Sequence, residues 1–403
     1  MGHFYNVFRR FCAFLTGAVF LVSGLLKLLD PVGAGLVIDE YYKFLGIGFM
    51  SFSSEPAGIF LALMEAFTGL ALMTGVWRRA AAAAAMAFMA FFTLLTLALV
   101  IFNPVMDCGC FGEAVHLSHW QTFIKNLVLC ALCAVAFFPF GRLGRPKKRK
   151  YVTFGIVGTA IIAFSIYHIL YVPLVDFTAF RAGARLESSI DDASDVYDAA
   201  FIYEKDGKQR RFSLENLPDS TWTYVSTETE RVGGSDEVVV QLPVSDAQGV
   251  HHDGLAAYGK ALVISAYRPY GMTARRWQAA AKLVTEAYDA GFTPVVLVPE
   301  DLERMDAWLM ENLEYADAAV LSGAMYFADY KTLVTMNRSN GGAVYFHDGY
   351  LVRKWSWRNY PVLDDYSDIS SAEAAELSAD FSSRRQMMFQ AFLLYVFAVL
   401  LFV

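Results

Sequence analysis

Residues 11–29 read FCAFLTGAVFLVSGLLKLL, with Lys27 as their single charge. A helix needs about 20 mostly apolar residues to cross the hydrocarbon core of a bilayer. This stretch meets that length, and Arg9 and Arg10 precede it. A cleaved secretory signal has a shorter apolar core followed by a small-residue cleavage site. Neither feature occurs here, so the segment reads as a retained span. Residues 57–77, 80–102, 120–140 and 151–172 follow the same pattern, and 387–403 gives a weaker sixth span.

The composition agrees. Of the 403 residues, 56% are hydrophobic and 18% charged, against about 25% charged in soluble domains. Five cysteines exclude a disulfide-dense scaffold, and a net charge of −7 argues against a nucleic-acid partner. Residues 174–385 read instead as an ordinary polar globular region.

Lysine and arginine in short loops set orientation. Arg9 and Arg10, Arg78 and Arg79, and the run GRLGRPKKRK at 141–150 fall on one side of the expected bundle. That side is assigned to the cytoplasm of a bacterium, with 141–150 as its basic loop. The loops 30–56 and 103–119, and the large region after 172, then face the periplasm. The localisation expected is the inner membrane, multi-pass, with the bilayer as the first partner. Arg384 and Arg385 oppose this bias before the last segment, for which an interfacial helix is the alternative.

Ionisable residues within spans usually face a bundle interior. Lys27 in SGLLKLLDP, Glu65 in LALMEAFTG and Lys125 in WQTFIKN are three such residues. Helical rise puts Lys125 and Glu65 at roughly 8 and 13 Å from the outer boundary. A Glu65–Lys125 pair is therefore expected, with Lys27 and Asp30 nearby. Such a pair either fixes helix register or carries a proton or ligand.

Cys130 and Cys133 form a C-x-x-C, but at roughly 15 Å depth, where burial opposes a thiolate. They read as small buried hydrophobes beside Cys12. Cys108 and Cys110 differ, because they lie in the outer loop NPVMDCGCFGEAVHLSHW. Gly109 permits the tight backbone that two sulfurs at i,i+2 need. A ring so small departs from relaxed disulfide geometry, and strained exposed disulfides are labile or catalytic. Redox exchange and a passive loop clip both stay open. His116 and His119 would complete four zinc-type ligands, but C-x-C is tighter than usual structural zinc spacing. No metal is assigned.

Three motifs in order, SGLLKLLDP, the glutamate-bearing second span and DCGCFG before WQTFIKN, resemble the DoxX-like / MauE (methylamine utilisation) membrane family over residues 8–140. The resemblance implies an all-α four-helix membrane bundle, here with extra transmembrane helices at 151–172 and 387–403. It also implies thiol-redox or electron-transfer chemistry in the envelope, by kinship with disulfide-forming quinone reductases. Those enzymes hold a C-x-x-C near the outer face. Here it lies deep, so quinone use lacks support and no cofactor is assigned.

Residues 174–260 read as a linker and β-rich region, either a small subdomain or edge strands. IYEKDGKQRRFSL is a hairpin turning at Asp206-Gly207, and DEVVVQLPV is another strand. In 261–366, ALVISAY and TPVVLV are buried strands. TARRWQAAAKLVTEAYDAG is a helix between Thr273 and Gly291, and DLERMDAWLMENL a second helix starting at Asp301. GGAVYF and YLVRKW close a hairpin at His347-Asp348-Gly349. This β-α-β-α-β-β order resembles the soluble α/β thioredoxin-like outer domains of the TlpA type. That resemblance places a C-x-x-C at Arg268-Pro269-Tyr270-Gly271 and a cis-proline at Asn340-Gly341-Gly342. This sequence has neither, and no cysteine follows Cys133. The domain is thus expected to be redox-inactive. Trp355, Trp357, Tyr360 and Tyr366 are either packing residues or a recognition patch.

Two functions follow. One is a membrane component of an envelope thiol-redox or protein-maturation system, in which Cys108 and Cys110 exchange electrons with a thiol-redox partner and the outer domain docks a client. The other is a non-catalytic module whose bundle binds a small lipophile and whose outer domain binds envelope proteins.

Overall fold

The computed structural model describes residues 2–102, 109–115, 117–138, 148–189, 197–205, 208–213, 223–231 and 238–402. Cys108, His116 and the Asp206-Gly207 turn lie outside the described residues.

The first helices are α1 (Gly2–Leu29), α2 (Pro31–Phe44), α3 (Ser54–Thr74), α4 (Arg78–Phe102), α5 (His119–Phe137) and α6 (Lys148–Leu170). Among the described residues, six helices are long and apolar enough to cross a membrane: these except α2, together with the final helix. Phe91, Leu94, Ile101, Ile124 and Leu394 stand exposed on them, an apolar surface that water would not tolerate at this extent.

Residues 30–56, expected as a loop, hold α2 and a short 3₁₀ turn, Gly48–Ser53. Leu29 ends α1, Asp30 becomes an N-cap accepting from the Gly33 amide at 2.9 Å, and Pro31 occupies the first helical turn. An acidic cap followed by proline is a strong helix start. Short length and two glycines hid it.

Helices α1 and α3 meet backbone to backbone. A Cβ added at Gly69 would lie 2.4 Å from the Leu21 nitrogen and 2.5 Å from the Gly17 oxygen. Without a hydrophobic drive between helices in lipid, such close packing holds spans together. It also fixes which side chains face each other.

The remaining elements are β1 (Arg185–Leu186), β2 (Tyr197–Lys205), β3 (Lys208–Ser213), β4 (Thr223–Arg231), β5 (Val239–Val240), β6 (Lys260–Ser265), α7 (Ala274–Asp289), β7 (Thr293–Val298), α8 (Leu302–Asn312), α9 (Tyr315–Gly323), β8 (Met325–Phe327), α10 (Tyr330–Met336), β9 (Gly342–His347), β10 (Tyr350–Trp355) and α11 (Ser371–Phe402). A mixed seven-stranded sheet runs β5-β1-β10-β9-β6-β7-β8. Strands β6, β7 and β8 are parallel, while β9 is antiparallel to both β6 and β10. Leu262 and Ile264 bury on one face against Trp277 and Val284. Ala261 and Val263 bury on the other against Leu333 and Phe346. Alternation with both faces covered gives the nearly unbroken apolar run of β6.

The 174–260 region divides. Strands β1 and β5 join the edge of the large sheet, while β3-β2-β4 form a separate antiparallel sheet. Among the described residues of DEVVVQLPV, 238–244, only Val239–Val240 is strand. The order of 261–366 also carries α9, β8 and α10, which the sequence hid because each is short. The last span is longer than 387–403: α11 runs unbroken from Ser371, and its start packs on the sheet through Ser378 Oγ donating to Leu351 O. Trp355 and Tyr366 are buried in the core, and Trp357 lies between the guanidinium groups of Arg276 and Arg358 at 4.7 and 4.5 Å.

The corners of the bundle sort by end. Arg9 Nε donates to Ala136 O at 3.2 Å, and Trp77, before Arg78, packs on Tyr151 and Phe154. The sheet contacts the opposite end, where Ser356 Oγ donates to Leu170 O at 2.9 Å and Arg268 pairs with Glu55 at 3.6 Å. Helix α2 lies between the two parts. Ala34 and Gly35 touch α3 at Gly58 and Glu55, while Val32 and Leu36 pack against the sheet.

Candidate functional site

A cavity of ≈ 80 Å³ opens inside the bundle, beneath α2 and the C-G-C loop. Four of the six residues singled out above line it: Lys27, Glu65, Cys110 and Lys125. The remaining wall is mainly apolar, with Phe20, Leu61, Met89 and Phe92. By that measure it has room for several waters or one small group.

The expected Glu65–Lys125 pair does not form. Lys27 Nζ lies 2.7 Å from both carboxylate oxygens of Glu65. The close approach of α1 and α3 puts Lys27 directly opposite Glu65. Lys125 sits on α5, and its ammonium lies 4.7 Å from the centre of the Phe111 ring. It makes no ion pair among the described residues. Asp30 does not line the cavity: its carboxylate accepts from the Gly33 amide and from Arg338.

Ser23 ties the pair to the cysteine loop. Its Oγ is 2.9 Å from Glu65 Oε2 and 2.7 Å from the Cys110 carbonyl oxygen. One hydroxyl proton serves one of these acceptors at a time. Ser23 stands one helical turn before Lys27, a spacing that puts both on one helix face. The sequence carried that signal. Asn126 also lines the wall, and its amide donates to Phe92 O and Thr96 Oγ1, both at 3.2 Å.

Gly109 explains the C-G-C spacing. Its φ is +61°, and a Cβ there would lie 2.4 Å from Val37 Cγ1 on α2. Only glycine combines that conformation with that contact. The loop is therefore pressed against α2, with Cys110 on the cavity. Cys12 and Cys133 are buried in a packed cluster that backs the cavity wall through Phe20 and Met89, and Cys130 Sγ lies 3.3 Å from Thr93 Oγ1. They do not line the cavity.

Arg338 was not legible as a site residue. It reaches down from the loop after α10, with its side chain 6% exposed, and donates from Nε to Asp30 Oδ2 at 2.8 Å and from Nη2 to Glu113 Oε1 at 3.2 Å. Burial works against its charge, but Asp30 and then Glu113 raise its pKa above the ordinary arginine value. Tyr267 Oη donates to the Arg338 carbonyl at 3.1 Å and steadies the loop. One guanidinium thus ties the sheet to α2 and to the loop after Cys110.

Among the described residues, no group of three or more histidine, cysteine or acidic side chains is placed to hold a metal.

The family described as methylamine utilisation protein MauE matches residues 5–139. The bundle is MauE-like. With its six apolar helices, the chain is a multi-pass membrane protein with a MauE-like part covering the cavity walls. A domain of unknown function, DUF8463, matches residues 197–232, the small sheet β3-β2-β4. Neither the curated proteins nor the solved structures yield a match.

Proposed function

We propose that this protein is a membrane component of a bacterial envelope thiol-redox or protein-maturation system. The MauE-like bundle sits in the inner membrane, its basic corners face the cytoplasm, and the sheet lies in the periplasm. Cys108 and Cys110 form the exchanging pair. A partner dithiol attacks their disulfide, passes through a mixed disulfide, and leaves oxidised while Cys108 and Cys110 become thiols. A second, more oxidising thiol-redox protein reverses the step. Two electrons and two protons move in each direction.

The observation that carries this reading is the shared cavity of Cys110, the Lys27–Glu65 pair and Lys125. Exchange proceeds through a thiolate, which nearby cations favour. Glu65 and Ser23 stand where a proton relay to the loop would run.

The large sheet supports a docking role. Strands β7-β6-β9-β10, with β9 antiparallel, have the arrangement expected of a thioredoxin-like domain. Arg268 and Asn340 hold each other by two hydrogen bonds of 3.0 and 2.9 Å. They stand where a redox-active relative would hold its dithiol and its proline. We therefore divide the chain into the bundle, a fifth span, the β-rich region, a redox-inactive docking domain at 261–366 and a final span.

Single Cys108→Ser and Cys110→Ser variants test the reading in cell membranes. Each leaves one thiol unable to resolve a mixed disulfide, so a partner adduct should appear on non-reducing gels and vanish with reductant. Absence of an adduct from both variants, with full biological function retained by the double variant, sinks it. That outcome would favour the second reading, an anchor whose bundle holds a small lipophile. The mainly apolar cavity wall supports that alternative.

A further inference from the structure

A second cavity, ≈ 90 Å³, lies where the sheet meets the segment after α6 and residues 381–386 inside α11. Its polar lining comprises Asp176, Arg181, Lys354, Ser382, Arg385 and Gln386, three cations against one acid. Lys354 Nζ spends its charge on Asp176 at 2.6 Å. Arg385 uses Nη2 to donate to the carbonyls of Val172 and Pro173, at 2.7 and 2.8 Å. Its Nε and Nη1 make no bond among the described residues, and Arg181 has no acidic partner there. The exposed Arg181 and the remaining donors of Arg385, whose guanidinium also lies 4.9 Å from the Phe381 ring, therefore line the concave site.

Below this site runs an apolar groove of ≈ 390 Å³ between α6 and α11, lined by Ala160, Ala163, Tyr167, Met388 and Tyr395. Phe164 and Phe392 stack at 4.3 Å and also line it. Leu174 borders both spaces, and Gln386 and Met388 continue one into the other along α11. The groove is flanked by two candidate membrane spans, and the cationic cavity lies just past Leu170 at the end of one and beside residues 381–386 of the other.

We propose that the two spaces form one binding site for an anionic phospholipid of the leaflet facing the sheet. Its phosphate pairs with Arg181 and Arg385, and one acyl chain lies in the α6–α11 groove. Arginine forks match phosphate oxygens in pairs. The groove continues the lipid's own apolar environment, so the chain enters without leaving hydrocarbon. This site is independent of the cysteine chemistry, and it would tie the junction between sheet and spans to the composition of the membrane.

Native mass spectrometry of the full-length protein tests this with three probes: dioleoyl-phosphatidylglycerol, dioleoylglycerol without the phosphate, and glycerol 1-phosphate without the chains. Only phosphatidylglycerol should stay bound. Arg181→Gln with Arg385→Gln, and separately Ala163→Trp to fill the groove, should each lower its occupancy about ten-fold. If Arg385→Gln does not fold, Arg181→Gln and Ala163→Trp carry the test. Equal binding of dioleoylglycerol, equal binding of glycerol 1-phosphate, or unchanged occupancy in the variants overturns the proposal.

Discussion

The bundle and the large sheet bury their interiors by opposite means. The sheet fills its core with bulk: Trp277, Tyr345 and Phe346 are all below 2% exposed. In water, removing such surface drives folding. The bundle brings backbones together at Gly17, Gly24 and Gly69 and leaves a cavity holding two lysines, a glutamate and a cysteine. Lipid supplies no hydrophobic drive, so small-residue contact and buried polar pairs hold the spans. The buried charges of the bundle thus collect where burial of bulk is not what organises the packing.

The largest effect that would break this contrast is removal of one charge from the bundle pair. Lys27→Met should cost about 3–5 kcal/mol, because it strands Glu65 without a cation. The double variant Lys27→Met, Glu65→Met should recover most of that loss in thermal unfolding. Equal melting of single and double variants would show that the pair does not organise α1 and α3.

Next comes the tie between the two regions. Arg338→Met should cost about 2–3 kcal/mol, less than Lys27→Met because the Glu113 side chain is 31% exposed. Hydrogen exchange should rise in α2 and not in β6. Uniform change across the chain would mean that Arg338 does not act as a local tie.

A smaller effect separates close packing from helix propensity. Gly69→Ala should destabilise by about 1–2 kcal/mol net, overpacking outweighing the roughly 1 kcal/mol gain in propensity. Gly155→Ala on α6, where an added Cβ meets nothing within 4 Å, should stabilise slightly. Matching signs would deny that backbone contact sets the bundle.

The smallest effect belongs to the sheet. His347 is buried beside Tyr345, with Nδ1 2.7 Å from its hydroxyl. Burial pushes the His347 pKa below the ordinary value of 6.5, with Asp348 partly opposing. The unfolded chain therefore takes up the proton first as pH falls below 6.5, and stability falls with it. His347→Gln should flatten that slope in urea titrations at pH 5 and 7. An unchanged slope would assign the pH dependence elsewhere.

Much of this was legible from local pattern. The first five spans, the strands β6, β7, β9 and β10, and helices α7 and α8 follow from apolar runs and their punctuation by Asp301, Gly291 and His347-Asp348-Gly349. The polar residues Lys27, Glu65 and Lys125 stood out because charge is costly in a span. Helix α2 was signalled by Asp30-Pro31 and masked by its length.

Local pattern could not assign partners. Which lysine meets Glu65 depends on how closely α1 and α3 approach, and that distance is set by glycines on two helices, Gly17 on one and Gly69 on the other. Asp30 and Arg338 are 308 residues apart, and no spacing rule joins them. By itself the sequence determined that a greasy N-terminal part spans lipid, where its charged residues fall, and which segments alternate in the sheet, because those follow from the periods of helix and strand. Only the tertiary structure decided that Lys27 takes Glu65, that Cys110 shares the cavity of that pair, and that Arg338 closes on Asp30. Electrostatic pairing is chosen by three-dimensional proximity, which chain periodicity does not encode.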